Sequence, residues 1–140
     1  MSQKVIIDTG VLVAYLNKRE QLHEWAKSEL NKINAPLFTC EAVIVESYFL
    51  LKNTYVVVDL IFSLLRTKQI AIPFSLSNET VEIETLMKRY QNGPMSVADA
   101  CLVRMSELIP ESVILTLDSD FRIYPKNRNE AIALIIPSDL

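Results

Sequence analysis

The apolar positions of this chain come in short blocks with sharp polar ends. Val5-Ile6-Ile7 is a β-branched run cut off by Asp8-Thr9-Gly10. Such a run reads as a strand buried on both faces. Val11-Leu12-Val13-Ala14-Tyr15-Leu16 then predicts an apolar helix, which puts Asp8 at the C-terminal end of the first strand. Leu37 to Thr39, Ile70 to Ile72, Val113 to Leu117 and Ala131 to Ile136 predict four more strands. Helical spacing predicts helices from about Leu22 to Ile33, Glu41 to Leu51, Tyr55 to Arg66, Ser77 or Asn78 (as cap) to about Tyr90, and Ser96 to Leu108. Asn34-Ala35-Pro36 and Gln91-Asn92-Gly93-Pro94 are the breaks between them.

Strands alternating with helices imply the α/β class: one domain over residues 1–140, a three-layer α/β/α sandwich around a mainly parallel sheet. The helix from Glu41 to Leu51 is apolar nearly all round and is expected to be largely buried. The helix from Tyr55 to Leu65 has only a narrow polar line through Asp59 and Ser63, continued by Arg66. Its surplus apolar surface predicts a contact between copies, so a homodimer.

Composition narrows the function. Two glycines in 140 residues cannot build a P-loop or a GxGxxG turn. A net charge of -3 does not advertise a nucleic-acid binder, although a site made of carboxylates would itself push the balance that way. Cys40 and Cys101 stand alone, with no CxxC or Cys/His pattern, and read as buried small hydrophobes of a reducing compartment. No basic-then-apolar leader and no apolar run of about 20 residues is evident, so a cytoplasmic protein with no membrane span is expected.

The acids carry the chemistry. Glu46 sits among Val, Ile, Tyr, Phe and Leu, where a carboxylate is costly unless paired or bound to a cation; the alternative is a wet stripe shared with Glu41 or Lys52. Asp99 lies three residues after Ser96, which fits a capping box, and its second oxygen stays available for other work. Asp118 mirrors Asp8 after a buried strand, with an Asx turn as its bland role and Asp120 as rival. Thr9 suits either a bond to a carboxylate or a cap on the first helix. His23 is the only histidine and lies on a polar face, which argues against Ser-His-Asp or Cys-His catalysis. Carboxylates gathered in one place repel by about 4 kcal/mol per pair at 4 Å and an effective dielectric of 20, so cations must neutralise them. An all-oxygen donor set points to Mg²⁺ or Mn²⁺ and to phosphoryl transfer.

On these residues the chain resembles the PIN-domain ribonucleases, a family that includes VapC-type toxins, and the resemblance covers almost the whole chain. Ile6-Ile7-Asp8-Thr9 is similar to the first acid of the family, Glu46 to the second, Ser96-Val97-Ala98-Asp99-Ala100 to the third and Thr116-Leu117-Asp118-Ser119-Asp120-Phe121 to the fourth. The resemblance implies a Mg²⁺- or Mn²⁺-dependent endoribonuclease with Asp8, Glu46, Asp99 and Asp118 as catalytic, metal-holding acids and Thr9, Ser96 and Asp120 in support. It also implies RNA as substrate, a dimer and, for a toxin, an antitoxin partner. Arg104 is one basic residue available to RNA; Arg122, Lys126 and Arg128 follow the fourth acid closely enough to touch phosphates. The competing readings are a Mg²⁺-dependent phosphatase with Asp8 as nucleophile, a receiver-like phosphoacceptor and a binding domain without turnover. Gly10 stands where the phosphatase would want a second aspartate, and no acid ends the Ile70 strand as a receiver requires.

Overall fold

The computed structural model describes residues 3–53 and 55–140, with only the helical backbone given for 55–57. The elements are β1 (Lys4–Ile7), α1 (Thr9–Leu16), α2 (His23–Asn31), β2 (Leu37–Phe38), α3 (Glu41–Leu51), α4 (Tyr55–Arg66), β3 (Ile70–Ala71), α5 (Thr80–Arg89), α6 (Val97–Leu108), β4 (Ser112–Leu115) and β5 (Leu134–Ile135). The strands form one sheet in the order β3-β2-β1-β4-β5, and every pairing is parallel. This is the expected α/β sandwich.

Hydrophobic burial explains why β1 and β4 are central. Ile6, Ile7, Ile114 and Leu115 have no exposed surface, and each such side chain contributes about 1.5–3 kcal/mol. β1 pairs with β4 from Lys4 opposite Ser112 to Ile7 opposite Leu115. The chain builds outward from β1 through β2 to β3, then crosses back to place β4 on the other side. The order therefore reverses between β1 and β4, which is where open α/β sheets leave a crevice at the carboxyl ends of their strands. Receiver-type sheets put β3 beside β1. Here β4 holds that place, so the receiver-like reading falls.

Several expected details change. β4 stops at Leu115, leaving Thr116 and Leu117 between the strand and Asp118. β5 is reduced to two residues. Ser77 and Asn78 do not cap α5; they belong to a 3₁₀ turn, Ser77–Glu79, whose leading Ser75 hydroxyl accepts from the Asn78 amide at 3.4 Å. Helix α3 is not largely buried. It rests on α1, α4 and α6 through one side and leaves Val45, Tyr48, Phe49 and Leu50 exposed, Phe49 by 62%. Both cysteines are buried and free, as expected. Among the described residues no helix is long and apolar enough to cross a membrane.

Candidate active site

Asp8 leaves β1 at the crevice and is 7% exposed. Its backbone amide still donates to Leu115 O at 3.1 Å, so the sheet holds its main chain. Its side chain caps α1: Oδ1 accepts from the Thr9 amide at 2.7 Å. Oδ2 accepts from the Thr116 hydroxyl, also at 2.7 Å. The cap is therefore Asp8 and not Thr9. That frees the Thr9 hydroxyl, which donates to Glu46 Oε1 at 2.7 Å. Glu46 is half-buried and turned inward from α3 by this bond, not placed on a wet stripe.

Asp99 enters from the first turn of α6. The capping box is complete: the Asp99 amide donates to Ser96 Oγ at 3.0 Å, and the Ser96 amide donates to Asp99 Oδ2 at 3.1 Å. The cap uses only Oδ2 and leaves Oδ1 available. Asp118 opens the 3₁₀ turn Ser119–Arg122, and its Oδ1 accepts from the Asp120 amide at 2.9 Å. Its own amide donates to Thr116 Oγ1 at 2.9 Å. Thr116, fully buried, thus joins Asp8 to Asp118. Sequence reasoning missed it. The signal was a threonine just past a buried strand, matching Thr9 just past β1.

The four acids share one electrostatic environment. Burial lifts the Asp8 carboxyl from 3.8 to about 6 against the lowering effect of its bonds from Thr116 and Thr9, and the charges of Asp99 and Asp118 push the same way. Burial likewise raises Asp99, helped by the charges of Asp118 and Glu46. Asp120 is raised by burial and then by Asp118.

The basic residues are placed differently. Arg122 donates to the Leu140 carbonyl at 3.0 Å. Lys126 makes a backbone bridge to Glu130. The neighbouring Asn127 amide donates to Glu107 Oε2 at 2.6 Å, which ties this loop to the far half of α6. Arg128 shares a surface cavity with Arg89 and Arg104. Glu107 lies eight residues beyond Asp99, about 12 Å along the helix axis. Arg104 is already paired with Glu79 at 2.6 Å and Glu107 at 3.1 Å. His23, as expected, has no part in the acid cluster: its ring Nδ1 bonds the Ala14 carbonyl at 2.7 Å.

A parallel sheet with acids delivered to its switch point agrees with the comparisons. The family model of the PIN domain matches residues 5–127. The chain belongs to the PIN-domain family. The structure of Mycobacterium tuberculosis VapC20, described as a sarcin–ricin loop cleaving toxin, is similar to this PIN domain with a TM-score of 0.75. The two share 14% identity over 84% of this chain and 92% of that one, a likeness that shows the fold. No curated protein matches the sequence.

PIN-domain nucleases generally use divalent ions. Among the described residues, no three His, Cys, Asp or Glu side chains stand together as a ready-made ligand cage. Mg²⁺ does not require one, since it keeps several waters and is commonly held by one or two carboxylates plus substrate phosphate. The donors here fit that mode: they are hard oxygens, and the strain of burying Asp8 beside Asp99 and Asp118 is the strain a cation relieves.

Proposed function

We propose that this PIN domain is a Mg²⁺- or Mn²⁺-dependent endoribonuclease whose working acids are Asp8, Glu46, Asp99 and Asp118. The observation that carries the reading is the electrostatic coupling of four carboxylates from four different elements at the switch point of a PIN-domain sheet. One or two of Asp8, Asp99 and Asp118 would hold the ion directly and the others through its waters, with Glu46 beside them through Thr9. When bound, it supplies the positive charge that draws in a phosphodiester, polarises it and acidifies water. The chain does the positioning. Thr116 and the Thr9 amide set the two oxygens of Asp8, the Thr9 hydroxyl orients Glu46, and the Ser96 amide holds one oxygen of Asp99 while the other stays unused by the cap. Each acid is thus pre-organised, which is where such a site gains most.

RNA is the substrate in this reading, and the phosphatase alternative has no observation in its favour. The likeness to a toxin supports a role as the toxin of a toxin–antitoxin pair acting in the cytoplasm, with an antitoxin protein as partner. A homodimer is part of the same proposal. Its surface is broader than the sequence implied, because Val45, Tyr48, Phe49 and Leu50 of α3 join Leu60 and Phe62 of α4 as exposed apolar residues. The side chains of Tyr55, Val56 and Val57, part of the expected contact, lie outside the described residues.

The test is cleavage of a mixed RNA pool by purified protein. Cutting is expected with Mg²⁺ or Mn²⁺ and is expected to stop in excess EDTA. Equal cutting in chelator would defeat the metal dependence, and no cutting under either ion would defeat the nuclease reading.

A further inference from the structure

The loop that follows Tyr124 holds a strained turn. Asn127 and Arg128 have φ of 48° and 73°, both in the left-handed region. Asparagine tolerates that region, whereas arginine adopts it at a cost that glycine would avoid. The surroundings keep the turn in place. Lys126 and Glu130 exchange backbone hydrogen bonds at 2.8 and 3.0 Å, and the Asn127 amide donates to Glu107 Oε2 at 2.6 Å. Strain fixed in this way is a pointer to use, and here it sets the position of an arginine.

The turn borders a surface cavity of about 440 Å³, whose charged and polar lining includes Glu82 and Arg89 of α5, Arg104 and Glu107 of α6, and Asn127 and Arg128. The charges there do not cancel. Arg104 is paired with Glu79 and Glu107. Glu107 commits both oxygens, one to Arg104 and one to the Asn127 amide. Arg89 and Arg128 have no ion pair among the described residues, and Glu82 is the one acid of this wall in the same position. Two free guanidinium groups therefore stand against one free carboxylate, on a chain whose formal net charge is -3. Guanidinium presents a planar fork of donors that matches a phosphate group.

The cavity is joined to the acid site by packed residues. Arg89 ends α5, and Tyr90 after it packs on Tyr124 with ring centroids 5.2 Å apart. Phe121, in the turn that Asp118 opens, meets Tyr124 edge-on at 5.8 Å. Helix α6 runs from Asp99 to Glu107 at the cavity over about 12 Å, or about three to four nucleotides at roughly 3.4 Å each. We propose that the cavity bearing Arg89 and Arg128 is a second RNA site, which holds backbone phosphates of the substrate strand a few nucleotides from the bond that is cut. This rests on the nuclease reading above and adds to it a reason for preferring long RNA over small diesters. An acidic protein segment would meet the same forks, but continuity with the acid site favours phosphate.

Binding and cleavage test this separately. Binding of a long single-stranded RNA is followed by fluorescence anisotropy with Mg²⁺ in the Asp8→Asn chain. Adding Arg89→Gln and Arg128→Gly together is expected to weaken it about tenfold, the low end for lost charge-assisted hydrogen bonds. The salt dependence should become shallower by about 0.7 per arginine. Lys32→Gln is the control for net charge, since Lys32 caps α2 and pairs with Glu29 outside this cavity. It should bind RNA as its parent does. Arg128→Gly alone should keep the melting temperature level or raise it, because glycine relieves the turn. In the chain with Asp8 intact, the two arginine changes should raise KM for the long RNA. They should leave hydrolysis of bis(p-nitrophenyl) phosphate, a diester too small to reach both sites, unchanged. RNA binding that is unaffected, or weakened equally by Lys32→Gln, would overturn the proposal and leave the nuclease reading intact. So would an equal loss on the small diester, or a fall in melting temperature that accompanies the loss of binding. A poly-glutamate of matched charge that binds as tightly and responds to the same variants would overturn the assignment to RNA. A chain that binds RNA through these arginines yet cuts none would defeat the nuclease reading and still support an RNA site here.

Discussion

Thr116 and Asp8 stand 108 positions apart in the chain, and a 2.7 Å hydrogen bond from the Thr116 hydroxyl to Asp8 Oδ2 joins them across two neighbouring strands. The same oxygen of Thr116 accepts from the Asp118 amide at 2.9 Å. One buried hydroxyl therefore orients the first acid and anchors the turn bearing the fourth. Thr116→Val keeps the shape and removes both bonds. It is expected to cost about 1–3 kcal/mol in denaturant unfolding, because the Asp118 amide loses its partner. RNA cleavage should fall at least about tenfold, the factor that 1.4 kcal/mol of lost orientation corresponds to. Thr116→Ser should retain most of both. A Thr116→Val variant that keeps wild-type stability and cleavage while Thr116→Ser loses them would show that the methyl group matters and the hydroxyl does not.

Asp8→Asn is expected to abolish cleavage and to stabilise the metal-free fold near neutral pH. The sign follows from burial. The carboxyl is raised from 3.8 to about 6 in the folded chain, so between those values the folded state holds more protons than the unfolded one. Stability therefore falls as pH rises through that window and stays lower above it. The gap amounts to roughly 3 kcal/mol at most. An asparagine recovers part of this but cannot accept from both Thr9 and Thr116 as the carboxylate does. The melting temperature of Asp8→Asn minus that of wild type, in EDTA, should be positive at pH 7.5 and should shrink toward pH 4. A difference independent of pH would show that the Asp8 carboxyl is not shifted in this way.

Asp118→Asn is expected to reduce cleavage more than Asp120→Asn. The charge of Asp118 acts on both Asp8 and Asp99, whereas Asp120 is coupled to Asp118. Asp118 is also fixed through its amide to Thr116. Parallel kcat/KM measurements on the two variants decide the matter, and a larger loss at Asp120 would reverse the assignment.

Self-association should run through α3 together with α4. Phe49 and Phe62 are 62% and 51% exposed, while Ile61, between exposed Leu60 and Phe62, is 1% exposed and belongs to the core. Phe49→Lys and Phe62→Lys are therefore the interface probes, and a change at Ile61 would report on folding. Light scattering at micromolar concentration should give about twice the 15.9 kDa chain mass for wild type and the single mass for the lysine variants. A wild type that stays monomeric across a concentration series would rule the interface out.

The residue order by itself determined the alternation of strands and helices, the position of Asp8 at a strand end, the Ser96–Asp99 capping box and the presence of Glu46 in an apolar helix. These are legible because each rests on neighbours a few residues away: a period of two or of 3.6, a cap reaching three positions on, a turn after a strand. Only the tertiary structure decided that Asp8 and not Thr9 caps α1, that the freed Thr9 hydroxyl turns Glu46 inward and that Thr116 spans two acids. It also decided that one side of α3 remains uncovered, which no periodicity in a helix apolar all round could reveal. The reason is the sheet order. Placing β4 beside β1 brings residues a hundred positions apart within one hydrogen bond, and local pattern holds no information about which strand will lie next to which.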